Sequence, residues 1–156
     1  MPLSHLPKGY HSVTPYLLVD DAARAIDFYV HALGAEEMLR LPMGDKIGHA
    51  EIRIGNSRVM LADEFPDMGL LGPKKRGGAT ASLTVYVKDV DACFAHALQA
   101  GATEERAVED QFYGDRAGTL VDPFGHRWTI ATQIEEVAPE ALEARMAEWM
   151  EREGGP

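Results

Sequence analysis

An internal repeat constrains this chain more than any other feature. Val19-Asp20-Asp21 returns 68 residues later as Val87-Lys88-Asp89, and the segments around the two copies follow the same order. In the first copy the alternating stretch HSVTPYLLV, 11–19, predicts a strand, because alternation sends every second side chain to one face. Asp20-Asp21 then offer a helix cap with negative charge in the first turn, and Ala22, Ile26, Tyr29 and Leu33 form an apolar stripe that LGAEE ends. Strands are predicted at 36–42, 47–54 and 58–63, the last two joined by a Gly55-Asn56-Ser57 turn. In the second copy TASLTVYV, 80–87, is the strand, Asp89 the cap, and a helix runs to residue 100. Strands follow near 103–109, 116–122 and 126–132. Two copies of one supersecondary unit predict two βαβββ modules.

The 156 residues are read as a single domain: module one over 11–69, a linker over 70–79, module two over 80–133, and a last helix over 139–152. LLGPKKRGGA, 70–79, carries glycine, proline and three adjacent cations, the composition of a solvated connection. After Pro139, Leu142, Met146, Trp149 and Met150 share one helical face, which is expected to pack on the body or on a second subunit. Cys93 falls at helical spacing with Val90, Phe94, Ala97 and Leu98 and is read as a core residue. As the sole cysteine it forms no internal disulfide.

Twenty-five acidic against 15 basic residues give a net charge of -10, which argues against a nucleic-acid partner. The N-terminal residues lack a basic-then-apolar signal pattern, and no run reaches the roughly 18 apolar residues of a membrane span. The chain is therefore expected to be cytoplasmic and free of the membrane.

Strand alternation sorts the side chains onto two faces. Val13, Pro15, Leu17, Val19, Ala50, Ile52, Ile54, Leu83, Val85, Val87, Trp128 and Ile130 are expected beneath the helices. The opposite face collects Thr14, Tyr16, His49, Glu51, Arg53, Ser82, Thr84, Tyr86 and Thr129. A merely wet face would be dominated by long charged side chains. Small hydroxyls, tyrosines and one His-x-Glu-x-Arg triplet instead suit a concave site that orients a ligand by a few hydrogen bonds.

The stretch DQFYGDRAGTLVDPFGHRWTIAT, 110–132, concentrates acids, arginines and aromatics. Asp122 to Gly125 reads first as a hairpin turn, and His126 shares the parity of Trp128, which makes it structural. Phe112 and Tyr113 precede Gly114 and are placed in a loop at the cleft mouth. Asp115 and Arg116 beside them either contact ligand or form a local ion pair. His5 and His11 fall in an N-terminal arm expected to be mobile, and His31 and His96 on helices; none is read as catalytic.

PYLLVDDAARAIDFYVHALGAEE, GHAEIRIGNSRVMLADEFPDMG and DQFYGDRAGTLVDPFGHRWTIAT, taken with the two modules, resemble the vicinal oxygen chelate superfamily. The similarity is to its PhnB-like branch of glyoxalase/bleomycin-resistance proteins and covers roughly residues 11 to 150. It implies an α+β fold in which two βαβββ modules form curved mixed sheets around a cleft, with a C-terminal helix added. Metal-bearing members hold one divalent ion with His, Gln or Glu from both modules. The corresponding positions here are Thr14, Glu51, Ser82 and Thr129, of which Glu51 alone is a good ligand.

The resemblance therefore implies a protein that binds a small molecule in a metal-free cleft, as a homodimer, with drug or metabolite sequestration as its role. Tyr16, Tyr86, Phe112 and Tyr113 would supply stacking surfaces, and His49, Glu51, Arg53 and Arg116 would orient the ligand. The alternative is a lyase, isomerase or dioxygenase-type enzyme on a small hydroxy or keto compound. There Glu51 is the catalytic candidate, as a general base or as a ligand to a divalent metal, with His49 or Tyr86 as its partner. A dimeric scaffold with a vestigial pocket is the third reading.

Overall fold

The computed structural model describes residues 1–154. Module one runs β1 (Tyr16–Val19), α1 (Ala22–Leu33), β2 (Glu36–Met43), β3 (Lys46–Ile54) and β4 (Ser57–Asp63). A 3₁₀ turn, Pro66–Met68, and a single helical turn, α2 (Pro73–Arg76), lead to module two. That module repeats the order as β5 (Ser82–Tyr86), α3 (Val90–Gln99), β6 (Thr103–Asp110), β7 (Asp115–Val121) and β8 (Arg127–Gln133), and α4 (Pro139–Glu153) closes the chain. The sheets are two, four-stranded and mixed, ordered β1-β4-β3-β2 and β5-β8-β7-β6, and neither closes into a barrel. In each, only the first strand of the module pairs in parallel.

The repeat is legible in the bonds that start its helices. Asp21 accepts the Arg24 N–H and Asp89 the Ala92 N–H, both at 3.1 Å. The first helical N–H is taken by a side chain of the module's last strand in each case, Ala22 by Asp63 at 2.7 Å and Val90 by Thr132 at 3.2 Å. These contacts satisfy amides that a helix leaves without internal partners. Gly34, at φ 66°, ends α1 in the left-handed conformation that glycine adopts without steric cost.

The alternation sorts the core as expected for Leu17, Val19, Ala50, Ile52, Ile54, Trp128 and Ile130, all buried against the helices. Val13 departs from it at 84% exposure, because the regular strand begins at Tyr16 and residues 11–15 run outside the ladder. Leu83, Val85 and Val87 pack on the core while remaining partly exposed, and so does Cys93, whose thiol burial pushes up in pKa. The linker also departs from a free loop. Pro73 is buried at the first position of α2, Gly72 N–H donates to Glu64 at 2.7 Å, and Lys74 reaches Asp20 at 3.0 Å.

One carboxylate joins the modules. Asp122, 4% exposed, accepts the Phe124 and His126 N–H groups at 2.9 Å, which forms the β7–β8 turn. Its other oxygen accepts Trp128 Nε1–H at 2.9 Å and the Tyr29 hydroxyl at 2.5 Å. Tyr29 belongs to α1 of the other module and packs on Trp128, 5.4 Å between ring centres. His126, structural by parity, donates from Nε2 to Leu18 C=O at 2.9 Å and adds a second tie.

Replacing Asp122 by Ala leaves three buried donors and one part-buried donor unpaired and is expected to cost about 3–5 kcal/mol in urea unfolding, against about 1.5–3 for Tyr29→Phe. A loss for Asp122→Ala below that of Tyr29→Phe would show that the carboxylate is not the joint.

Candidate functional site

The polar face of module one is built on β3. Side chains at i and i+2 share a strand face, so His49, Glu51 and Arg53 point the same way. The parallel pairing of β1 with β4 brings Tyr16 level with Met60, which is itself opposite Glu51. Four side chains meet there. His49 Nε2 lies 2.8 Å from Glu51 Oε2, and the carboxylate only accepts, so this nitrogen carries the proton. In the neutral ring Nδ1 is then an acceptor, and the Tyr16 hydroxyl donates to it at 2.9 Å. The Tyr10 hydroxyl donates to Glu51 Oε1 and completes the chain Tyr16–His49–Glu51–Tyr10. The imidazole and carboxylate are about a fifth to a quarter exposed, whereas Tyr16 is 48% exposed. Partial burial nonetheless pushes the Tyr16 phenol up in pKa.

Tyr10 is the residue that sequence reasoning missed. It sits in an arm without helical or strand periodicity, and the only local signal is the Pro7-Lys8-Gly9 turn before it, closed by Tyr10 N–H to Pro7 C=O at 3.1 Å. The arm lies over the sheet: the Arg58 guanidinium stands 5.4 Å from the centre of the Tyr10 ring.

Module two carries a different set. Asp115, buried at the start of β7, accepts the Tyr86 hydroxyl at 2.8 Å. That bond holds the Tyr86 phenol above its ordinary pKa, with desolvation adding to it, and burial followed by the Asp115 charge raises Tyr113. Asp115 and Arg116 do not pair with each other. Arg116 points away to Asp91 at 2.9 Å and Asp110 at 3.0 Å, and those carboxylates hold its guanidinium charged. Phe112 packs against Trp149 of α4, 5.7 Å between ring centres, and its carbonyl accepts from Arg145. Gly114 makes that approach feasible, since a methyl group there would collide with Glu135 C=O. Arg53 pairs with Glu36.

The structure thus unites Tyr16, His49 and Glu51, joins Tyr86 to Asp115 instead, and turns Arg53 and Arg116 to carboxylates of their own. Of the metal positions, Thr14 and Ser82 line one cleft of about 430 Å³ between the modules. Thr129 bonds to Thr119 at 3.1 Å, and Thr119 is the rung of module two that corresponds to Glu51. The donor set near Glu51 is one imidazole and one carboxylate with both oxygens already accepting, which does not fit a divalent ion that needs three or four protein ligands.

The family model Glyoxalase/Bleomycin resistance protein/Dioxygenase superfamily matches residues 9–130. An uncharacterized protein of Mycobacterium bovis is 45% identical over 140 residues, 87% of this chain and 92% of its own length. TioX of Micromonospora sp. ML1 superposes with a TM-score of 0.61 at 27% identity, over 82% of this chain and all of that one. A PhnB protein of Bacillus cereus shares the fold with a TM-score of 0.60 at 18% identity, over 78% of this chain and 99% of its own.

If the Tyr10–Glu51 bond anchors the arm, Tyr10→Phe is expected to open it. A hydrogen bond to a charged group contributes about 1.5–3 kcal/mol, or roughly ten- to a hundred-fold in the open population. Trypsin cleavage at Lys8, followed by mass spectrometry, should accelerate accordingly; an unchanged rate would show that the arm is held by other contacts.

Proposed function

The chain belongs to the glyoxalase/bleomycin resistance protein/dioxygenase superfamily, and on that premise we propose that it binds a small organic molecule without a metal ion. One observation carries the reading: both oxygens of the carboxylate best placed to ligate a metal accept hydrogen bonds from Tyr10 and His49. What remains is a recognition surface, with Tyr16 and Tyr86 exposed for stacking and the His49–Glu51 pair for orientation. The negative charge near Glu51 favours a neutral or cationic aromatic ligand. Drug or metabolite sequestration in the cytoplasm is the role that fits.

Assembly as a homodimer is part of the proposal. Every residue of β2 is exposed, including Met38, Leu39, Leu41 and Met43, and an edge strand with so much apolar surface calls for a cover. Trp149 of α4 is engaged with Phe112, while Met146 and Met150 stay exposed on the same helix.

A second reading is favoured by the order Tyr16–His49–Glu51. A hydroxyl on imidazole and the imidazole on a carboxylate is the arrangement in which a base is oriented by a third group. It would serve proton transfer in a lyase or isomerase acting on a hydroxy or keto compound, or in a dioxygenase-type enzyme. Glu51 would stabilise the imidazolium or act itself as general base.

The two readings separate in a thermal-shift screen of neutral and cationic aromatic drugs and metabolites, followed by product analysis of every compound that stabilises the protein. Binding without conversion, weakened by Tyr16→Ala and by Glu51→Gln, is expected. No stabilising compound in the screen would overturn sequestration. Turnover that falls about a hundred-fold or more in Glu51→Gln would establish the enzyme instead.

A further inference from the structure

Arg58, the second residue of β4, lies on the same face as Glu51 and is directly opposite Arg53 in the β3–β4 ladder. Like charges in that position repel, and the two arginines settle it differently. Arg53 turns to Glu36. Among the described residues Arg58 makes no salt bridge, and its Nε is shut off from solvent without a hydrogen-bond partner. Its close neighbours are the Tyr10 ring and Gly9, where a methyl group would meet the guanidinium at 3.0 Å.

The repeat supplies an internal control. The register sets Tyr16 beside Met60 and Thr84 beside Thr129, so the counterpart of Arg58 in module two is Arg127. Arg127 holds Glu105 at 2.8 Å. The same residue on the same rung is neutralised in one module and left without an anion in the other, within a chain that has 25 carboxylate side chains to offer.

Arg58 lines the cleft of about 430 Å³ between the modules, a volume within the range of small-molecule sites. Among the described residues no Asp or Glu contributes to that cleft. Its charged and titratable residues are Arg58, His11 and Tyr86, the last with its hydroxyl engaged by Asp115; Ser82 and Thr84 present hydroxyls, and Val85 and Trp128 belong to its apolar wall. The overall charge of -10 does not decide the matter, because charges beyond about 8 Å are largely screened at physiological salt. The local sign does.

We propose that this cleft binds a monocarboxylate carried on an apolar or aromatic body. The carboxylate meets the Arg58 guanidinium in the forked geometry that arginine favours, and the body lies along the Val85–Trp128 wall. Tyr10 divides this site from the other one: its hydroxyl serves Glu51 and its ring supports Arg58. The site goes beyond the reading above, since it takes an anion and does not use the His49–Glu51 pair; Tyr86, offered above for stacking, borders it as well.

The test is calorimetric titration of the full chain with 2-naphthoate and with neutral 2-naphthamide. Naphthoate is expected to bind about ten-fold or more tightly than the amide, a preference that Arg58→Met abolishes, Arg58→Lys keeps in part and Glu51→Gln leaves alone. The urea midpoint of each variant establishes that it is folded. Equal binding of acid and amide, absence of naphthoate binding, or naphthoate binding that survives Arg58→Met in a folded protein would each overturn the proposal. Naphthoate binding lost in Glu51→Gln but not in Arg58→Met would place the ligand on the other site and overturn it too. A drug screen without hits beside Arg58-dependent naphthoate binding would defeat the first reading and leave this one standing.

Discussion

Four donors on one buried carboxylate decide how the two halves of this protein sit. Asp122 is made available by its own turn, which supplies two backbone N–H groups, and Trp128 supplies a third donor from the same module. The fourth, Tyr29, comes from the helix of the other module, and burial with the neighbouring carboxylate keeps that phenol protonated far above its usual range. A charge so placed tolerates no missing partner, because each vacancy would leave a polar group dry. The geometry of α1 on β8 is therefore set by hydrogen bonding more narrowly than the surrounding apolar contacts among Phe28, Phe124 and Trp128 would set it alone.

With the helices fixed, β1 and β5 come near enough to share clefts: Pro15, Ser82 and Leu83 line both of the larger ones. Neither cleft belongs to one module. The chain uses the junction of its repeats for its concave surfaces, and the sheet faces for its hydrogen-bonded side-chain sets. Divergence between the repeats then creates function without altering the scaffold. Thr119 stands where Glu51 stands in the other half, and Thr84 where Tyr16 stands, so the His–Glu–Tyr chain exists once in a frame that could have held it twice.

Much of this was legible in the sequence, and the limits have physical causes. The modules, the helix caps at Asp21 and Asp89, the turn function of Asp122 and the parity of His126 all follow from periodicity or local backbone chemistry, which a single sequence displays. The i, i+2 spacing likewise placed His49 and Glu51 on one face. Tyr10 was hidden because an arm without periodicity reveals nothing about where it lies, and its partner is 41 residues away. Val13 misled because the alternation extends N-terminal to Tyr16, where the pairing of β1 with β4 begins. The linker's cations are exposed as read, but the segment is tied at its start: Glu64, buried directly after β4, captures the Gly72 N–H and stands 3.5 Å from Lys75.

The partner of an arginine is likewise invisible in a sequence, since any of many carboxylates will serve. Arg53, Arg116, Arg127 and Arg145 each find one in the fold. Arg24, Arg76, Arg106 and Arg152 make no salt bridge among the described residues either, but they are exposed and water serves them, whereas Arg58 is half-buried and its Nε has neither water nor a partner, which is the costly case. Arg58 is prevented from pairing by its surroundings: Tyr10 and Gly9 cover it on one side, Arg53 is its neighbour across the ladder, and the cleft beside it is free of acids. These three features leave a ligand as the anion with access to it.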